Sequence, residues 1–331
     1  MLLRRLALAA IILLLPVDAL RAECVGANLI AALPAKTRAA LVAKASAEPF
    51  AHGNFWRATR GDQVLHLIGT YHADDPRHDA TVTAITPLIR DATTLLVEAG
   101  PDEEKALMDR MGREPGLMLI TDGPTLPEML PKDEWDDLAA AMTERGIPAF
   151  MAAKFRPWYI SVVLSLPSCG MADMAGRGLD GMVVDIAKAA GVPVRALEPY
   201  DTVFGIFGDL SMQDQLSMIR ATMATEDRSE DLAITLADTY FAQDSRLIWE
   251  FMRYQALQMP DQKPDVVEAE FARMEDAMMV KRNRAWIPVI ENAAAKGPVF
   301  AAFGSLHLSG KDGVLNLLQE AGFTLERVDL P

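Results

Sequence analysis

Val64-Leu65-His66-Leu67-Ile68-Gly69-Thr70-Tyr71-His72 reads as an apolar strand that stops at glycine, a hydroxyl residue, one further residue and a histidine. The pattern returns near the far end as Val299-Phe300-Ala301-Ala302-Phe303-Gly304-Ser305-Leu306-His307. Each histidine taken alone is explained as a strand cap satisfied by a backbone carbonyl. Two strand ends of one form, in a chain with five histidines, instead point to His72 and His307 as the imidazoles of one site. Gly69 and Gly304 are expected to let the backbone turn sharply there.

Outward from these strands, 55–60 and 63–68 flank Gly61-Asp62, which suits a hairpin turn with glycine first. Amphipathic helices are expected over 79–90, 102–111, 135–145 and 157–166, and a short helix after Gly178 to Ala190. The 27–47 stretch is helix-like, with Pro34 dividing it into two short helices. Thr93-Thr94-Leu95-Leu96-Val97-Glu98 and Val192 to Glu198 read as strands ending in a carboxylate. The final unit is strand (298–303), helix (313–320) and strand (324–328). Continuous apolar strands alternating with helices give an α/β fold: a mixed, mostly parallel central sheet flanked by helices. From 212 to 286 only helices are expected, broken at Pro260 and Pro264, and their methionines read as helix packing.

The chain opens with a leader. Met1-Leu2-Leu3-Arg4-Arg5 is basic, Leu6 to Val17 is apolar, and Ala19 and Ala22 are small residues suited to precede a cut. Residues 1–22 are therefore expected to be a signal peptide, its apolar run being short of the ~20 residues a spanning helix needs. Export to the periplasm or beyond follows, with no integral membrane span in the mature chain. Removing Arg4, Arg5, Arg21 and Asp18 takes the net charge from −14 to −16, which argues against nucleic acid as a partner. Cys24 and Cys169, the only cysteines, are expected to pair in an oxidising compartment.

Ligands of open α/β sheets gather beyond the carboxyl ends of the strands. Four strands here end in His72, Glu98, Glu198 and His307. Two imidazoles and a carboxylate with one position open are a ligand set for a catalytic divalent metal. Glu98 follows Leu95-Leu96-Val97, so its carboxylate needs a metal or a salt bridge to an arginine. Arg282, in the basic run Lys281-Arg282-Asn283-Arg284, is either a solvated charge or an oxyanion stabiliser. His66 shares a strand face with Val64 and Ile68 and reads as packed, whereas His52 and His78 read as surface groups. The chain has no H-E-x-x-H, Walker loop, G-x-G-x-x-G or G-x-S-x-G.

Gly69-Thr70-Tyr71-His72, Glu98, Gly178-Leu179-Asp180, Leu197-Glu198, Arg282-Asn283 and Gly304-Ser305-Leu306-His307-Leu308-Ser309-Gly310 occur in an order that resembles the TraB/GumN-like family. That family includes the TIKI proteins, metal-dependent proteases that clip Wnt ligands. The resemblance implies one domain over 23–331 built from two related halves carrying the paired G-x-x-H strand ends. The helical stretch at about 205–285 would then be an insertion. It also implies a metallohydrolase site in which His72 and His307 are the motif histidines, Glu98 the glutamate and Arg282 the arginine. On this basis His72, Glu98 and His307 are expected to hold one or two divalent ions (Mn, Co or Zn), with Glu198 as general base and Arg282 on the oxyanion. The expected activity is hydrolysis of a peptide bond in a peptide or protein substrate. The alternative is a non-catalytic periplasmic binding or accessory protein for a peptide or polysaccharide intermediate.

Overall fold

The structure is a computed structural model that describes residues 24–170, 178–208, 210–259 and 263–330. The leader at 1–22 and the break at Pro260 lie outside the described residues. Six strands form one mixed sheet: β1 (Phe55–Arg60), β2 (Gln63–Thr70), β3 (Thr94–Val97), β4 (Val194–Ala196), β5 (Val299–Gly304) and β6 (Thr324–Arg327). Their spatial order is β4-β3-β5-β2-β1-β6. Strands β2, β5, β3 and β4 run parallel, while β1 pairs antiparallel with both β2 and β6. The hairpin between β1 and β2 turns at Gly61, whose φ of 58° is the left-handed value that favours glycine.

The apolar runs are explained by burial on both faces. Alternate residues of β5 go to opposite sides of the sheet. Val299, Ala301 and Phe303 pack with Trp286 and Ile290 of the Lys281–Ala294 helix and with Leu315 and Leu318 of the Val314–Glu320 helix. Phe300 and Ala302 pack with Ile85 and Ile89 of the His78–Arg90 helix and with Leu179 and Val183 of the Leu179–Ala190 helix. A further apolar cluster, away from the sheet, joins Leu138, Met142, Ile160 and Leu164 to Leu216 and Ile219. Between 205 and 285 the described residues are helical or in turns. Tyr240 of the Ser229–Phe241 helix donates its hydroxyl to the Gly69 carbonyl at 2.9 Å, which anchors this region on the end of β2. Cys24 and Cys169 are bonded, tying the start of the described chain to its middle.

Three expectations need correction. The 27–47 stretch is helical only over Ala35–Ser46, with turns before Pro34, which stands as the N-cap. Gly69 and Gly304 do not make left-handed turns: Gly304 has φ −48°, and Gly69 is absent from the positive-φ glycines. Their lack of a side chain is what counts. A Cβ on Gly69 would stand 2.6 Å from Leu308 Cδ1 and 2.8 Å from Ser305 Cα, so only glycine lets the turn carrying His307 lie against β2. Finally, His78 is not a surface group but fully buried, because the Tyr71, Tyr240 and Phe241 rings close around it.

Gly69→Ala therefore forces β2 and the Ser305–His307 turn apart. Thermal unfolding of this variant should show a loss of about 1–3 kcal/mol, the usual cost of overpacking; an unchanged melting temperature would refute the close approach.

Candidate functional site

The parallel register delivers the polar groups to one place. Thr70 pairs with Gly304 across β2 and β5, and Val97 pairs with Ala302 across β3 and β5. His72, Glu98 and the Ser305–His307 turn thus follow three adjacent strand ends. A Cβ on Gly304 would stand 3.2 Å from Glu98 Oε1, 3.6 Å from His72 Nε2 and 3.7 Å from His307 Cδ2. Gly304 is therefore the floor on which the three groups meet, and any side chain there would crowd them.

Both imidazoles are held by their Nδ1 atoms. His72 Nδ1 lies 2.8 Å from Asp180 Oδ2. A carboxylate only accepts, so Nδ1 is the donor and Nε2 is the atom turned toward Gly304. Asp180 also accepts from the Thr70 hydroxyl, and its helix begins against the His72 backbone. A Cβ at Gly178 would meet His72 C and O at 2.3 Å, which is why glycine precedes that helix. His307 is buried and packs against the Trp286 ring, tilted by 35° with centroids 4.4 Å apart. Arg282 Nη1 lies 3.2 Å from His307 Nε2, and a guanidinium only donates, so Nε2 accepts. His307 Nδ1 then donates to Asn283 Oδ1 at 2.5 Å, while Asn283 Nδ2 donates to the Asp312 carbonyl at 2.9 Å.

Arg282 is the hub of the remaining contacts. Its Nε and Nη2 donate to Glu198 Oε2 and Oε1, both at 2.8 Å, and Nη1 donates to the Met278 carbonyl at 3.0 Å. Nη2 also donates to Glu98 Oε2 at 2.6 Å. Arg282 stands two residues past the π-helical turn Asp276–Val280, a distortion common at functional sites. Glu98 Oε1 accepts the Gly304 amide at 2.6 Å. Glu198 Oε2 accepts in addition from Trp286 Nε1 at 3.0 Å.

These contacts set the charges. The hydrogen bond to Asp180 lifts His72 to about 9, against the opposing pull of burial. That ring is 64% exposed, so water screens the interaction and its contribution to stability is small. Burial would raise Glu98, but the charges of His307, Arg282 and His72 and the Gly304 amide hold it at about 2. Burial drives His307 down to about 4, aided by the Arg282 and His72 charges and opposed by Glu98. At neutral pH the centre thus holds neutral His307, cationic His72 and Arg282, and anionic Glu98.

Of the expected residues, Arg282 contacts Glu98, Glu198 and His307, while His72 is held by Asp180 and approaches the same place only beside Gly304. Glu198 faces Arg282 and Trp286 with both oxygens engaged. Among the described residues no three His, Cys, Asp or Glu side chains stand at metal-binding spacing, and Arg282 lies against Glu98 and His307. Asp180, Asn283 and Trp286 were given no role by sequence reasoning, although Gly178-Leu179-Asp180 and Arg282-Asn283 lie in the motifs quoted above. His66 is packed as expected, in a cluster of three rings with Phe55 and Phe300 whose centroids lie 6.1 and 6.4 Å from its own.

A doubly covered, mostly parallel sheet with paired imidazoles and a carboxylate at adjacent strand ends defines an α/β protein with a strand-end polar site. The chain belongs to the TraB/PrgY/gumN family, whose model matches residues 54–327. No curated protein matches it. No helix among the described residues is long and apolar enough to cross a membrane.

Two outcomes test the electrostatics. In protein treated with chelator, Asp180→Asn should bring the His72 pKa from about 9 toward its ordinary 6.5, read from imidazole NMR shifts; a pKa that stays near its wild-type value would show that Asp180 is not the cause. His307 has a folded-state pKa depressed from 6.5 to about 4, so its contribution to stability is present above pH 6.5 and is lost as pH falls through 4. Denaturant unfolding of wild type should weaken across that window, and His307→Gln should flatten the slope.

Proposed function

We propose that the strand-end site is the centre of a divalent-metal-dependent hydrolase acting on peptide bonds outside the cytoplasm. The observation that carries this reading is the orientation of the two imidazoles. His72 turns Nε2 toward Gly304 and His307 turns Nε2 toward Arg282 and Glu98, while each Nδ1–H is fixed by an acceptor, Asp180 for His72 and Asn283 for His307. Metal-ligating histidines are ordinarily oriented in this way, the outer partner fixing tautomer and ring angle.

The donor set fits a metal in its chemistry: His72 Nε2, His307 Nε2 and Glu98 would hold it. Arg282 shares the Glu98 and His307 acceptors in the structure, yet it has an independent seat on Glu198 and the Met278 carbonyl. Giving up its contacts to Glu98 and His307 would leave it anchored. When bound, the metal supplies a water of lowered pKa and polarises a carbonyl.

The chain's own residues do the rest. His72 must shed the proton that Asp180 stabilises before Nε2 offers a lone pair. His307, already neutral, needs no such step. Arg282 presents its terminal donors toward the developing oxyanion, in a pocket sheltered enough for that charge to matter. We assign Glu198 to holding Arg282 rather than to proton abstraction, because its oxygens accept from Arg282 twice and from Trp286 once. The Cys24–Cys169 bond and the leader sequence support an oxidising compartment. The peptide substrate rests on the resemblance to the TIKI proteases.

Titration calorimetry with Mn, Co and Zn on the full chain tests the proposal. Wild type should bind, His72→Ala/His307→Ala should not, and Asp180→Asn or Asn283→Leu should weaken affinity roughly 10–100-fold as loss of an orienting partner does. Equal, negligible binding in wild type and the double variant would end the reading and leave the cleft as a ligand-binding site.

A further inference from the structure

A second cavity, of about 320 Å³, opens at the free edge of the sheet, where β4 is the terminal strand. Its walls come from Leu96 of β3, Arg195 and Ala196 of β4, and Pro288, Val289, Asn292, Ala293 and Lys296 along one flank of the 281–294 helix and just beyond it. Those last positions recur at helical spacing, so they form one flank beside the inner stripe of Trp286 and Ile290. Leu96 pairs with Arg195 across β3 and β4, and cross-strand partners share a sheet face. The Arg195 stem therefore rises on the face covered by the 281–294 helix, where Leu96 packs and Lys296 also lines the cleft.

The chemistry of this cleft is one-sided. Its floor is apolar, with Leu96 fully buried and Ala293 6% exposed. Its mouth carries exposed Arg195, Asn292 and Lys296. No aspartate or glutamate lines it, in a chain of net charge −14. Elsewhere the described arginines at buried sites are tied to carboxylates, as Arg246 is to Glu250 and Glu275. Arg195 and Lys296 take part in no hydrogen bond or ion pair with a described side chain. The volume lies in the range of small-ligand sites, and β4 is only three residues long, too short to add an extended peptide with stability.

We infer that this cleft binds a small amphipathic anion, an aliphatic carboxylate whose chain lies on Ala196, Pro288 and Val289. Its head meets Arg195 and Lys296, with the Asn292 amide as a third donor. A guanidinium matches a carboxylate's geometry with paired hydrogen bonds, and lysine adds a second charge at the same mouth. The site is separate from the strand-end centre and does not depend on its chemistry: the helix that supplies Arg282 there supplies Val289, Asn292 and Ala293 here.

The test is calorimetric titration of the full chain with octanoate, with octanol and octylammonium as tail-matched probes lacking the negative charge. Octanoate should bind saturably, and octanol and octylammonium at least about tenfold more weakly, the scale of a lost charge-assisted contact. Arg195→Gln/Lys296→Gln should lose octanoate binding with its melting temperature unchanged, because both side chains are exposed. Val289→Arg should block the cleft while keeping both cations. Absence of saturable binding, equal affinity for octanol, or octanoate binding that survives both variants would overturn the assignment.

Discussion

The carboxylate of Glu98 is the constraint on which the centre depends. It stands at the end of a strand whose residues are wholly buried, with its own side chain 22% exposed, and it remains ionised. A charge so placed costs several kcal/mol unless it is paired and hydrogen-bonded. Here one oxygen takes the amide of Gly304 and the other takes Arg282. Those two bonds fasten the end of β3 to the end of β5 and both to the 281–294 helix. Removing either partner would leave a carboxylate uncompensated, so the strand ends and the helix start are held in one arrangement by the same electrostatic need. The guanidinium that satisfies Glu98 is in turn seated on Glu198, which extends the arrangement to the end of β4.

Much of this was legible in the sequence, for specific reasons. The repeated Gly-hydroxyl-x-His ending marked β2 and β5 because apolar strands buried on both faces leave a polar residue conspicuous where they stop. The same contrast marked Glu98. What the sequence concealed were partners that come from distant helices. Asp180 reaches His72 because Gly178 permits a backbone approach that no larger residue would allow. Asn283 sits one residue beyond Arg282, yet it points to His307 and the Asp312 carbonyl, a division of labour set by the helix's rotation against the sheet. No local pattern reveals that rotation. His78 misleads for a related reason: it follows a turn-rich polar stretch, while the rings that bury it include Tyr240 and Phe241, far along the chain.

The glycines show how a correct position can carry a mistaken cause. Gly69 and Gly304 were marked for backbone freedom, but both serve by leaving space: one beneath the His307 turn, the other as the floor shared by Glu98, His72 and His307. Tyr240 belongs to the same layer of support, since its hydroxyl satisfies the Gly69 carbonyl where β2 ends. Burial pushes its phenol pKa up, so it remains a donor across the physiological range. The centre is thus supported from the sheet below and from the helical region beside it, while the imidazole of His72 stays largely open to solvent.

The central claim is that His72 and His307 serve one metal through their Nε2 atoms. X-ray absorption of the full chain loaded with zinc counts imidazole ligands directly, at the ~2.0–2.1 Å expected of Zn–N bonds. The account predicts two imidazoles with oxygen completing the shell, falling to one in either single histidine variant. A spectrum with no imidazole, or one unchanged by both substitutions, would contradict it.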